Sequence, residues 1–159
     1  MKYLKNISFF LVISLIVVLV SQAIDSKSVF VYLEENIIGL LLTLLAINIA
    51  SSGLIAAKIQ DILVEFPEFD FSESLKEMKI SLFEQVVLLI VCIISLILSD
   101  SSLIDFEHKS TLSNTILFSI LVYAINILWD TGQAVFIIID QLQQLYKERR
   151  KNNDDEEEK

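Results

Sequence analysis

The sequence predicts an all-α membrane protein, a bundle of four transmembrane helices, and three observations predict it. Four long apolar runs begin near Ile7, Ile37, Ile80 and Leu112, and about 20 apolar residues are what a helix needs to cross a bilayer core. The 159 residues are 54% hydrophobic with a mean hydropathy of +0.64, far from a soluble composition. Lys and Arg are also distributed unequally between alternate connectors.

The spans fall at about 7–24, 37–57, 80–99 and 112–139. Together they make one helical domain over 1–146, followed by a charged tail over 147–159. For the first run a signal peptide competes, because Lys2 and Lys5 give a basic start and Ser21-Gln22-Ala23 resembles a cleavage site. The length of the run favours its retention as a span. With three Gly and one Pro in the chain, there is little material for the broken helices of carriers, so continuous spans are expected.

Orientation follows from the basic residues. Lys2, Lys5, Lys58, Lys76, Lys79, Lys147, Arg149, Arg150, Lys151 and Lys159 fall on one side and only Lys27 and Lys109 on the other. Both termini are therefore expected in the cytoplasm. The outer connectors, 25–36 and 100–111, are short. The inner one, 58–79, carries Phe66-Pro67-Glu68-Phe69-Asp70-Phe71; Pro67 is expected to end an extension of the second helix. Asp70 with Glu73, or Ser74 with Glu77, has capping-box spacing for the start of the third helix. The tail turns abruptly from KERRK to DDEEE, a run expected to be solvated and disordered.

The second span carries Gly39, Thr43, Ala46, Ala50, Gly53 and Ala57 at alternating steps of four and three. At about 100° per residue they form one small-residue stripe, and small residues permit the close helix approach that drives association in lipid. The first reading is the main packing face against a neighbouring span, since short-looped helices must pack together first. The alternative is a subunit interface. Asn48 and Ser51 point away from the stripe, which implies protein or water on two sides of this helix and favours an oligomer.

The fourth span places Ser119, Tyr123, Asn126, Asp130 and Gln133 on one face, and the third has a matching face with Ser81, Glu84, Gln85, Cys92, Ser95 and Ser99. Two registers are open for Asp130: embedded, or already cytoplasmic if Trp129 sits in the interfacial belt. No Lys or Arg lies within the spans, so Asn48, Glu84, Gln85, Asn126, Asp130 and Gln133 are the polar intramembrane candidates. In an oligomer Glu84 and Asp130 would border a hydrated cytoplasmic vestibule. The fourth helix keeps apolar spacing through Ile138, Leu142 and Leu145, about 50 Å from Leu112, and so projects into the cytoplasm. Phe66, Phe69, Phe71, Leu142, Leu145, Arg149 and Arg150 are the candidates for holding a soluble partner.

The net charge of −9 sits in connectors and tail, and there is no basic stripe for direct nucleic-acid binding. Phosphate-binding loops, Ser-His-Asp arrangements and zinc spacings are missing. His108 lies in an outer connector, and Cys92, the single cysteine, excludes an intrachain disulfide. No enzyme, cofactor or metal is expected. The four-span size invites comparison with small multidrug transporters, whose signature acid in the first span this uncharged run lacks.

The whole layout, with runs starting near Ile7, Ile37, Ile80 and Leu112, both ends inside and charged inner edges, resembles the membrane subunit of the Kiwa anti-phage defence system. The resemblance implies a homo-oligomer in the bacterial inner membrane that responds to phage and works with a soluble, DNA-binding partner. A non-enzymatic sensor and scaffold is thus the expectation. The alternatives are a pore-forming effector or channel, holin-like proteins included, and an accessory subunit of a larger membrane complex.

Overall fold

The structure, a computed structural model, describes residues 2–67, 69–101 and 108–157, with the side chains of 2–7, 65, 141–142, 145 and 148–157 outside the description. Four helices follow in order: α1 (Lys2–Ala23), α2 (Ser28–Glu65), α3 (Ser72–Asp100) and α4 (Lys109–Glu157). Of these, α2, α3 and α4 are long and apolar enough to cross a membrane, while α1 has a shorter apolar stretch, Ser8–Ala23. Their outward faces carry large apolar side chains, among them Val86, Ile90, Ile94 and Ile97 on α3.

The axis of the bundle is α4. It packs against each of the other helices, α2 and α3 also pack on each other, and α1 packs on α4 alone. Two apolar cores are stacked along this axis. One joins Leu33, Ile37 and Leu41 of α2 to Cys92 of α3 and Leu117, Ile120 and Ala124 of α4. The other joins Ile55, Ile59 and Ile62 of α2 to Ile138 of α4, with Phe66, Phe71, Leu75, Met78 and Val135 packed around it.

The line of α2 that faces inward is therefore Leu33, Ile37, Leu41, Asn48, Ser52, Ile55, Ile59 and Ile62. Its steps of three, four and seven keep it on one face. This corrects the expectation for the small-residue stripe. Gly39, Thr43, Ala46, Ala50, Gly53 and Ala57 are all exposed, and a Cβ added to Gly39 or Gly53 would meet nothing within 4 Å. The physical reason is side-chain size: the long aliphatic residues on the opposite face fill the space between α2, α3 and α4, leaving the small residues on the outer face.

Three other expectations change. The segment 28–36, read as a connector, is the first part of α2, because Phe30, Leu33 and Ile37 form a buried helical line through it. The connector shrinks to 24–27. There the α1 terminus closes with the amide N–H of Ser26 donating to Ser21 O at 2.9 Å and that of Asp25 to Gln22 O at 3.1 Å. This pairing is a Schellman-type end, with Asp25 in the left-handed position at φ 50°. The segment 147–157 is helical rather than disordered. It holds no Gly or Pro, and Lys, Arg and Glu propagate helix well. The connector 102–107 and Glu68 lie outside the described residues.

Pro67 follows the end of α2 as expected. The start of α3 is capped differently from either capping box. The Asp70 side chain accepts the Ser72 N–H at 2.9 Å, while Ser74 and Glu77 lie inside the helix. That hydrogen bond holds the Asp70 carboxyl below the usual carboxylate range. Its contribution is present above the ordinary carboxylate pKa and is lost as pH falls through the lowered value.

The two faces of α2 and the axial position of α4 predict opposite responses to small substitutions. Leu117→Ala, deep in the first core, is expected to lower unfolding free energy by roughly 2–5 kcal/mol. Gly53→Ala on the free face is expected to raise it by about 0.5–1 kcal/mol. Thermal unfolding in detergent at low protein concentration checks both.

Candidate functional site

Between the two apolar cores lies a buried polar layer. On α2, Asn48 and Ser52 fall between Leu41 and Ile55; on α3, Ser81 and Gln85 fall between Met78 and Leu88; on α4, Thr131 falls between Ala124 and Val135. Asn48 is fully buried and spends both amide hydrogens on α3: Nδ2 donates to Ser81 Oγ at 3.0 Å and to Gln85 Oε1 at 3.0 Å. Ser81 Oγ lies 3.1 Å from Thr131 Oγ1, and Thr131 donates to Ile127 O at 3.1 Å. Since the Thr131 hydrogen is used on that carbonyl, Ser81 must donate to Thr131. The layer is thus a directed chain from α2 through α3 to the backbone of α4. Each bond in such a chain polarises the next.

Asn48 Oδ1, Gln85 Nε2 and Ser52 Oγ are buried and have no protein partner. The layer therefore keeps one acceptor, one donor and one hydroxyl beyond those that hold the helices together. An interhelical hydrogen bond in apolar surroundings is worth about 0.6 kcal/mol and at most about 2. Leaving a buried partner unpaired costs about 1–3 kcal/mol. The second term is larger, so the layer acts mainly by penalising any register that separates its members.

A second cluster lies beside it, along the α3–α4 edge. Tyr123 OH donates to Glu84 Oε2 at 3.2 Å, and the Tyr123 ring meets the Phe10 ring of α1 with centroids 5.7 Å apart. Tyr123 thus links α1, α3 and α4. One turn further along α4, Asn126 Nδ2 donates to Asp130 Oδ2 at 3.1 Å, and Asp130 is exposed. Asp130 lies within electrostatic range of Glu84.

The polar candidates read from the sequence therefore divide three ways. Asn48 and Gln85 meet each other in the buried layer. Glu84, Asn126 and Asp130 form a loose group along the α3–α4 edge. Gln133 stands on the surface. Ser52, rather than Ser51, shares the buried face with Asn48; four residues of helix bring them into line. Thr131 was missed because its neighbour Asp130 drew the charge-based reading, although a hydroxyl on the helix that follows Ser81's was the available signal.

The cytoplasmic candidates also separate. Phe66 and Phe71 pack on the second core, and Phe66 meets the rings of Phe69 and Tyr146, each at 6.1 Å. Phe69 and Tyr146 are the exposed members of the group. The side chains of Leu142, Leu145, Arg149 and Arg150 lie outside the described residues, though the backbone of α4 continues through them. Among the described residues no group of three or more His, Cys, Asp or Glu gathers to hold a metal ion. Amides and hydroxyls locked into helix contacts supply register, not acid–base chemistry.

No family model, curated protein or solved structure matches this chain.

A double-mutant cycle tests the layer. Asn48→Ala is expected to cost about 1–3 kcal/mol by stranding Ser81 and Gln85. Asn48→Ala combined with Gln85→Ala is expected to show a coupling of roughly 0.6–2 kcal/mol. Asn126→Ala, at an exposed pair, should stay within about 0.5 kcal/mol of the wild type. Unfolding followed in mild detergent gives all the arms.

Proposed function

We propose that this chain is a four-span, non-enzymatic scaffold of a bacterial inner membrane, with both termini cytoplasmic, that self-associates and presents an extended helical end to a soluble partner. The observation that carries the reading is the second core. A bilayer core needs about 30 Å of helix, whereas α2 and α4 run to about 57 and 73 Å. The excess length is packed: Ile55, Ile59, Ile62 and Ile138, sealed by Phe66, Phe71 and Leu75, give the α2–α3 connector end a hydrophobic interior of its own. A stalk of this kind offers a rigid surface for docking, with Phe69 exposed beside it. The basic residues at this end support its cytoplasmic placement.

Self-association is supported by the free stripe of α2. In lipid, a helix face of Gly, Ala and Thr gains little from acyl chains and much from another helix at close range. The layout shared with the Kiwa membrane subunit favours a role in anti-phage defence with a DNA-binding partner. A channel is the second reading, favoured by the Glu84–Tyr123 pair and the exposed Asp130 along the α3–α4 edge.

Two measurements on the purified protein separate these readings. Reconstituted in liposomes, a scaffold is expected to pass no ions, and flux above empty vesicles would favour the channel. Ala50→Leu with Gly53→Leu is expected to reduce the oligomer to monomers in mass measurements without lowering the thermal midpoint of the monomer. A photo-crosslinker at position 69 should trap a discrete soluble protein in cells, and one at position 32, at the opposite end of α2, should not.

A further inference from the structure

At the end opposite the stalk, a cleft of about 360 Å³ opens where α1 ends and α2 begins. Its floor is apolar, with Val18 and Phe30 buried and Val31 beside them. Its rim carries Asp25, Lys27 and Glu34, with Gln22 and Asn114 completing the polar side. The cleft exists because α1 packs only on α4, so that α1 and α2 diverge from their short connector and leave a gap between them. No ion pair ties up its rim charges: among the described residues the one ion pair is Lys58–Asp61, at the far end of α2, and Glu34 accepts one long hydrogen bond from Ser99 Oγ at 3.5 Å. Asp25 occupies a left-handed backbone position where glycine would be less strained, yet the residue there carries a carboxylate.

We propose that this cleft is a headgroup site for a phospholipid bearing a primary ammonium. Lys27 takes the phosphate, Asp25 and Glu34 take the ammonium, and Phe30 and Val31 flank the glycerol and upper acyl carbons. The charge order selects the class. Two carboxylates and one lysine complement a zwitterion and repel an anionic headgroup, and a primary ammonium offers three N–H donors where a quaternary one offers none. The apolar floor beneath a charged rim, open between two helices, matches a molecule that is polar at one end and hydrocarbon at the other. The proposal rests on the reading of α1 and α2 as membrane spans, which puts the connector at headgroup depth. The cleft gives the scaffold a point where the state of the outer leaflet bears on the α1–α4 contact.

Native mass spectrometry of the full chain with equimolar dioleoyl phosphatidylethanolamine, phosphatidylcholine and phosphatidylglycerol tests it. The ethanolamine lipid is expected to be retained about threefold to tenfold over the choline lipid, the net worth of one ordinary hydrogen bond. Asp25→Asn with Glu34→Gln should abolish that preference, Lys27→Gln should weaken binding of both zwitterions, and Lys27→Arg should restore it. Equal retention of all three lipids by the wild type, or an unchanged preference in Asp25→Asn with Glu34→Gln, overturns the proposal. Complete displacement by soluble O-phosphoethanolamine overturns it in favour of a free ligand. In a Cys92→Ser background, Ser28→Cys labelled by an impermeant maleimide reports the span reading separately. Labelling from the outer side without lipid preference sinks the lipid site alone. No labelling from that side sinks the topology beneath it.

Discussion

The buried amide of Asn48 constrains the rest of the bundle. An amide with no access to water must find its partners inside the protein, and Asn48 finds Ser81 and Gln85 on α3. Sliding α2 along α3 by one turn would strand three polar side chains at once, so the pair has one register. The Ser81–Thr131 contact extends the same constraint to α4. Once Asn48 faces inward, the helical repeat fixes every other face of α2: Ile37, Ile55 and Ile59 follow it in, and Ala46, Ala50 and Gly53 are carried to the opposite side. The outward stripe is thus a geometric consequence of the polar layer.

The layer also divides the molecule into parts with different work. Above it, the Leu33–Leu117 core holds α2, α3 and α4 together; below it, the Ile55–Ile138 core stiffens the connector end. Helix α1 stands apart, tied to α4 by the Phe10–Tyr123 ring contact and by Gln22 Nε2 donating to Thr111 Oγ1 at 2.8 Å. A helix held on one side only is the element most free to respond to its surroundings. The Glu84–Tyr123 hydrogen bond puts that response one side chain away from α3.

Much of this was legible in the sequence, and the misses have physical causes. The four helices, the end of α2 before Pro67 and the continuation of α4 follow from apolar run length and from the scarcity of Gly and Pro. The inward orientation of Asn48 follows from the cost of an amide in hydrocarbon. The facing of the small-residue stripe was not legible, because Gly and Ala at helical spacing permit close approach without saying whose helix approaches. The Leu33-to-Ile62 line has the same period, and only the packed volume between three helices chooses between them. The helix over 28–36 was obscured by Glu34 and Glu35, whose charge suggests a connector while Phe30 and Leu33 beside them are buried. The acidic tail was read by charge, which predicts solvation but leaves helicity open.

The most direct measurement is oxidative cross-linking in native membranes, in a Cys92→Ser background, of two cysteine designs on α2. Asn48→Cys with Gln85→Cys is predicted to form a disulfide within one chain, leaving a monomer band with altered mobility. Ala50→Cys alone, half a helical turn away on the stripe, is predicted to join two chains. The contrary result, dimers through position 48 and none through position 50, would place the polar layer at the surface and contradict the arrangement from which both faces of α2 are derived.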